Sequence, residues 1–258
     1  MGMTGRSNKQ ERQASILKQL SRAPSLRIAE LAVGLGVSTE TIRRDLDELT
    51  ALGRLNRTYG GAVLPPEAEP AVKEREKILL PERERIAQAT LGLIKPGNFL
   101  MIGSGATTVH VARRLAADCG NLTVITHAFG VASVLSANPT ITVIMAPGRF
   151  NPDESCTYGG YAVAFLAGFQ VDRAILGASG LMPGGPTDAD AESATVYTAM
   201  MSSAAATTVV ADHSKVDRSF LARYATWSQV DQLVTDRELP LPLADRLAAC
   251  DTEIIVAP

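Results

Sequence analysis

Ser38, Thr39, Thr41, Arg43 and Arg44 stand close together in one short stretch of the chain. Hydroxyl side chains and helix-end N–H groups hold phosphate oxygens, and an arginine can grip guanine O6 and N7 with two bonds. A second group lies further on. Gly103, Ser104, Gly105, Ala106, Thr107 and Thr108 form a Gly-rich turn with hydroxyl donors, a type of turn whose N–H groups converge on an anion. The run Ala211-Asp212-His213-Ser214-Lys215 would bring a point positive charge to the end of an apolar stretch. Gly148 and Arg149 could reach the same crevice. Asp172 and Asp188 could accept from hydroxyl groups, with a structural or loop role as the plainer reading.

Other chemistries find little support. The 103–108 turn is neither GxGxxG nor GxxxxGKS, so dinucleotide and P-loop binding are not expected. His110, His127 and His213 have no metal-ligand spacing, and no Ser-His-Asp triad can be recognised. Cys119, Cys156 and Cys250 are scattered and odd in number, which suits reduced thiols. Glu192 could serve as a base, although a glutamate on a helix face is usually only solvated. No catalytic residue, metal or cofactor is therefore assigned.

The elements that must position these groups follow from periodicity. Ser7 with Gln10 reads as a capping-box start, Ile16, Leu17 and Leu20 supply an apolar face, and Pro24 ends that helix. Ile28, Leu31, Ala32 and Leu35 recur at helical spacing up to Gly36. Ser38 can cap a third helix that buries Ile42, Leu46 and Leu49 and ends at Gly53. At 100° per residue, this turns Glu40, Arg44 and Asp47 outward, with Thr41 and Arg43 on the flanks. Two helices joined by Gly36-Val37-Ser38 make a helix-turn-helix, and residues 55–59 before Gly60-Gly61 read as a strand and turn. A solvated face on a protein–protein module is the bland alternative.

Beyond a Pro- and charge-rich stretch, apolar β-type runs alternate with helical ones. Strands are expected at 99–102, 122–126, 142–145, 174–177, 207–211, 232–234 and 252–256. Helices are expected near 83–93, 107–117, 128–137, 158–168, 191–204 and 241–249. Such alternation predicts an α/β domain with a mostly parallel sheet covered by helices on both faces. The division is a 7–64 head that holds the helix-turn-helix, a 65–80 linker and an 81–258 α/β domain. A length of 258 residues, with 46% hydrophobic and 20% charged, suits two such domains. Residues 1–62 carry ten Lys/Arg against six Asp/Glu, net +4, and the remainder 15 against 21, net −6. A basic head on an acidic body points to a polyanion partner for the head alone. No apolar run approaches the ~18 residues of a membrane span, and the first residues lack a signal-like apolar core, so a cytoplasmic location is expected.

The run from Ser38 to Leu64, STETIRRDLDELTALGRLNRTYGGAVL, resembles the DeoR family of bacterial transcriptional regulators. Ser38, Thr41, Ile42, Arg43, Arg44, Asp45 and Leu46 match the family's recognition helix. Gly53, Leu55, Arg57, Gly60, Gly61 and Ala62 match its wing. Tyr59 stands where the family more often has His. The resemblance implies that 7–64 is a winged helix-turn-helix DNA-binding domain. It places a helix-turn-helix at roughly 25–44 and implies contacts to double-stranded operator DNA, with Arg57 and Tyr59 in the wing holding the backbone.

Residues 75–256 resemble the family's effector-sensing domain, which is related to phosphosugar isomerases, and this implies that 81–258 is an effector-sensing domain. Gly103 to Thr108 fits the phosphate loop, Gly148-Arg149 the Gly-Gly segment, and Asp212 to Lys215 the Asp-Ser/His-Ser-Lys segment. Gly103 replaces the usual Asp, His127 the usual Asn, and Tyr197 a common Lys. The resemblance implies a regulator, a repressor of a sugar-catabolic operon, controlled by a phosphorylated sugar and assembled as a homodimer or homotetramer. Two other classes stay open: a phosphosugar isomerase-like enzyme with a fused DNA-binding head, and a partner-binding protein using the winged helix as its interface.

Overall fold

The computed structural model describes residues 4–20, 26–52, 55–58, 61–63 and 69–258. The chain divides into two compact units, residues 1–67 and 68–258. In the first, α1 (Thr4–Leu20) is followed by β1 (Leu26–Arg27), α2 (Ile28–Leu35), α3 (Thr39–Ala51), β2 (Asn56–Thr58) and β3 (Gly61–Val63). The expected apolar stripes meet in one small core: Ile16 and Leu20, Ile28 and Leu31, then Ile42, Leu46 and Leu49. The strands form a three-stranded antiparallel sheet in the order β1-β3-β2. Sequence periodicity did not anticipate β1, whose two residues are too few to show alternation. Helix α1 already runs through Ser7, so the capping-box start expected there does not occur. Pro24, Gly53, Tyr59 and Gly60 lie outside the described residues.

Two polar ties fix α3 against α1. Arg12 donates to both carboxylate oxygens of buried Asp45, at 2.5 and 3.1 Å. Lys9 and Gln13 donate to Glu48 one turn further along, at 2.6 and 3.0 Å. Asp45 thus sits in the recognition-helix motif for a packing reason, facing inward where its neighbours Arg43 and Arg44 face out.

The second unit opens with α4 (Val72–Arg75) and α5 (Leu80–Leu91), then alternates β4 (Phe99–Ile102), α6 (Ala106–Asp118), β5 (Leu122–Thr126), α7 (Phe129–Leu135) and β6 (Ile141–Met145). A hairpin of β7 (Arg149–Asn151) and β8 (Cys156–Tyr158) leads to α8 (Gly160–Leu166) and β9 (Val171–Leu176). Next come β10 (Gly180–Met182), β11 (Gly185–Asp188), α9 (Ala191–Ser202) and β12 (Ala204–Val210). The chain closes with β13 (Ala222–Arg223), β14 (Gln232–Thr235), α10 (Leu241–Ala248) and β15 (Glu253–Val256). Seven strands make one parallel sheet in the order β15-β14-β12-β9-β4-β5-β6.

Successive strand residues point to opposite faces, and both faces are apolar. Leu100, Ile102, Val124 and Ile175 pack against α5, α6 and α7. Met101, Ile125, Ala174 and Leu176 pack on the other side with α8, α9 and α10. From β4 the chain moves outward to β5 and β6, and from β9 it moves outward the other way. The connectivity therefore reverses between β4 and β9, and open α/β sheets bind ligands beyond the carboxyl ends of strands at such a point.

Residues 69–80, read from sequence as linker, pack within this unit. Val72 is buried and donates its N–H to the Asp153 carbonyl at 2.8 Å, and Arg75 pairs with Glu154 at 2.6 Å. The antiparallel β10-β11-β13 sheet was also not expected, because its Gly- and Pro-rich strands lack an apolar period.

The Arg12–Asp45 tie makes a prediction. Asp45→Ala should lower stability by about 1–3 kcal/mol, the usual worth of a hydrogen bond to a charged group. Arg12→Ala should cost a similar amount, and the double variant little more than either alone in urea denaturation. Additive losses would show that the two side chains do not act as a pair.

Candidate functional site

In the first unit, Ser38 caps α3, its hydroxyl accepting from the Thr41 N–H at 3.1 Å and lying 2.9 Å from the Thr41 hydroxyl. Thr39, Arg43 and Arg44 are exposed on the same end of the helix. Arg44 lies 3.4 Å from Glu40 in a solvated pair, worth little and easily exchanged for a phosphate or a base. Five of the seven residues selected for DNA contact thus share the exposed N-terminal end of α3. For Arg57 only the backbone, in β2, is described, and Tyr59 lies outside the described residues.

In the second unit, a pocket lies beyond the carboxyl ends of β4, β9 and β12, at the reversal of connectivity. Its floor is the turn from β4 into α6. Gly105 adopts φ 127°, a left-handed value that favours glycine, and no side chain caps the helix that follows. The first-turn N–H groups of α6, at Ala106 and Thr107, are therefore available to an anion. The Ser104 N–H is not, because it donates to His127 Nε2 at 3.1 Å. The other ring nitrogen of His127 donates to the Thr157 carbonyl at 2.7 Å, which fixes a neutral tautomer. Burial pushes the imidazole down to about 4, only partly offset by that bond. His127 is thus a brace for the loop.

Of the effector residues expected from sequence, Ser104, Gly105, Ala106, Thr107 and Lys215 line this pocket. Thr108 does not: one residue further round the helix, its hydroxyl donates back to the Gly105 carbonyl at 2.8 Å. Asp212 is fully buried behind the wall, where it accepts from Arg83 at 3.2 and 3.3 Å and from the Ser214 N–H at 3.1 Å. Burial raises its carboxyl, and Ser214, Arg83 and Lys215 outweigh that and hold it below the ordinary value. Gly148 and Arg149 fall outside the pocket. Arg149 is 70% exposed in the β7–β8 hairpin, stacked over the Tyr158 ring at 4.6 Å and 3.5 Å from Glu192. Asp172 is structural, accepting from the Phe99 N–H at 2.7 Å.

Gly103 lines no part of the pocket, and its packing accounts for two departures from the family pattern at once. A Cβ at this position would stand 2.7 Å from Tyr197 Cε1. The tyrosine ring, from α9, fills the volume next to Gly103 and donates its O–H to the Ser104 carbonyl at 2.7 Å. It is held edge-on by His127 and Tyr224, with ring centroids 6.0 and 5.1 Å away.

Several pocket residues carried no sequence signal. Arg75 and Arg83 come from α4 and α5, buried to 7% and 3% exposure. Arg75 donates to both oxygens of Glu154, at 2.7 and 2.6 Å, and lies 3.4 Å from Glu69. Glu69 also accepts from Ser179 at 2.5 Å and pairs closely with Lys215. Asp188, which the sequence did mark as a possible hydroxyl acceptor, ends β11 and also lines the pocket. Burial pushes its carboxyl up to about 7, against one N–H from Asp190 and with Glu69 and Glu154 adding to the rise. Among the described residues, no cluster of His, Cys, Asp or Glu could hold a metal ion. Cations, a helix N-terminus and hydroxyls around one small space suit an anionic, hydroxylated ligand.

Two outcomes follow. Gly103→Ala should cost about 1–3 kcal/mol, the usual range for overpacking. Tyr197→Leu in the same chain should recover part of the loss, and a thermal-melt cycle that is merely additive would separate the two positions. For Asp188, the folded protein keeps a proton that the unfolded chain releases near its ordinary value of about 4. Stability linked to this group is present at low pH and is lost as pH rises from about 4 to about 7. The melting midpoint of Asp188→Asn, taken relative to the native chain, should climb across that range and level off above it. A difference independent of pH would contradict the raised value.

Residues 12–68 match the DeoR-like helix-turn-helix domain and residues 80–237 the DeoR C terminal sensor domain. The chain is 30% identical over 250 residues to the HTH-type transcriptional repressor GlcR of Bacillus subtilis, covering 96% of each chain. It is 32% identical over 247 residues to the glycerol-3-phosphate regulon repressor of Haemophilus influenzae, covering 95% of this chain and 96% of that one. Ribose 5-phosphate isomerase A from Methanocaldococcus jannaschii superposes with a TM-score of 0.38 at 17% identity, over 52% of this chain and 53% of that one. Among the described residues, no helix is long and apolar enough to cross a membrane. The chain belongs to the DeoR family of helix-turn-helix transcriptional regulators, with a DNA-binding domain at its N-terminus and a sensor domain after it.

Proposed function

We propose that this protein represses a sugar-related operon and that a phosphorylated sugar or sugar derivative controls it. The observation that carries the effector class is the pocket itself, where the first turn of α6, Ser104, Thr107, Lys215, Arg75 and Arg83 converge at the reversal of the sheet. Such a lining suits a phosphate group, and Asp188 can serve the hydroxyls of the attached sugar. Both relatives are repressors, which supports repression here, and one of them is the repressor of a glycerol-3-phosphate regulon.

On the DNA side, Ser38, Thr39 and Thr41 hold phosphates and Arg43 and Arg44 face the major groove, with Arg57 and Tyr59 in the wing on the backbone. The protein acts as a homodimer or homotetramer on a two-fold operator. Effector binding favours one arrangement of the assembly over another and so changes DNA affinity.

A crossed pair of variants tests both halves, on an operator obtained by selection from random DNA. Arg44→Ala should lose about 1–3 kcal/mol of specific binding while leaving effector binding intact. Lys215→Ala should bind the operator normally but need about ten- to a hundredfold more effector, because a charge-assisted hydrogen bond of about 1.5–3 kcal/mol is gone. The effector comes from a thermal-shift panel of sugar phosphates and glycerol 3-phosphate beside their unphosphorylated parents. An unchanged effector curve for Lys215→Ala removes the phosphate site. Turnover of a sugar phosphate by the native chain would favour the isomerase reading.

A further inference from the structure

The pocket already holds an anion. Glu69 places its carboxylate against Lys215, accepts from the Ser179 hydroxyl at 2.5 Å and lies 3.4 Å from Arg75. These are the groups that a phosphate would use. The side chain of Glu69 is 10% exposed and that of Lys215 12%, so the pair is largely withdrawn from water.

Charge counting shows that the site is complete as it stands. Three cations, Arg75, Arg83 and Lys215, pair with three carboxylates, those of Glu154, Asp212 and Glu69, while Asp188, whose carboxyl burial pushes up to about 7, pairs with none of these cations. Glu154 and Asp212 each bind an arginine at the wall. Among the described residues, Glu69 is the one that forms an ion pair with Lys215, from a segment outside any helix or strand. With Glu69 in place the cavity measures about 30 Å³, room for a single water, whereas ligand pockets usually run from about 300 Å³ upward.

We propose that Glu69 is an internal stand-in for the effector's anionic group, and that the effector binds by displacing this carboxylate from Lys215, Ser179 and Arg75. The inference rests on the phosphate-site reading above. It adds a competitor built into the chain and identifies Ser179 and Arg75 as partners of the incoming anion. A tethered carboxylate acts at high effective concentration, and the apparent affinity of the free ligand falls by the fraction of molecules in which the site is open. Residue 69 lies directly after the boundary between the two units at 67 and 68, so the displaced group belongs to the stretch of chain that leads into the DNA-binding unit.

Isothermal titration of the full chain with inorganic phosphate and with glycerol 3-phosphate tests this. Glu69→Gln, which keeps the shape and removes the charge, should bind both probes at least about tenfold more tightly than the native chain. Adding Lys215→Ala should abolish the gain. Glu69→Asp keeps the charge but shortens the reach, so it should also bind more tightly; an effect of net charge alone would leave it like the native chain and overturn the proposal. Equal affinities for the native chain, Glu69→Gln and Glu69→Asp, all lost with Lys215→Ala, would remove the stand-in and leave the phosphate site intact. Absence of binding by the native chain and by both Glu69 variants would remove the site itself.

Discussion

Two buried arginines and a largely covered lysine at the end of a parallel sheet cannot be left without partners, and much of the second unit is arranged to meet that demand. Taking a charge out of water costs several kcal/mol unless an opposite charge and hydrogen bonds replace the lost hydration. Asp212 meets Arg83 from the end of β12, and Glu154 meets Arg75 from the β7–β8 hairpin. Each pairing joins segments far apart in sequence. The requirement to neutralise the pocket therefore also fastens α4 and α5 onto the sheet, so that the pocket and the tertiary structure share the same ion pairs.

The brace around the 103–108 turn is of a different kind. His127, Tyr197 and Tyr224 use neutral hydrogen bonds and ring contacts to hold backbone carbonyls and one N–H in place. None of them brings a charge to the pocket, because burial keeps His127 unprotonated and raises both phenols well above their ordinary range. A loop positioned by uncharged groups leaves the electrostatics to the arginines, the lysine and the helix end.

Sequence carried the architecture well where side chains alternate on a regular period. The strands at 99–102 and 122–126 coincide with those observed, because both are paired on each side within the sheet and carry apolar residues to both faces. The strand expected from 207 begins at Ala204, since its opening alanines carry too little apolar contrast to mark it. Within the pocket, Ser104 to Thr107 and Lys215 were legible because strand, glycine turn and helix are local features. Thr108 looked equivalent to Thr107, but a rotation of about 100° per residue turns it away. Arg75, Arg83, Glu69 and Ser179 were not legible, since nothing in a charged run marks which arginine will be buried. Arg83 meets Asp212 across 129 positions, and Arg75 meets Glu154 across 79.

The spread of the pocket along the chain bears on the order in which the protein acquires its abilities. The DNA-binding unit is complete by residue 67 and has its own apolar core, whereas the pocket needs everything from Glu69 to Lys215. During synthesis, domains fold largely from the N-terminus as the chain emerges at about 5–20 residues per second, so the interval between the two events is about 7–30 s. Over that interval a nascent chain carries the helix-turn-helix unit and lacks part of the pocket lining. The unit that carries the helix-turn-helix is therefore made before the last residues of the pocket are present.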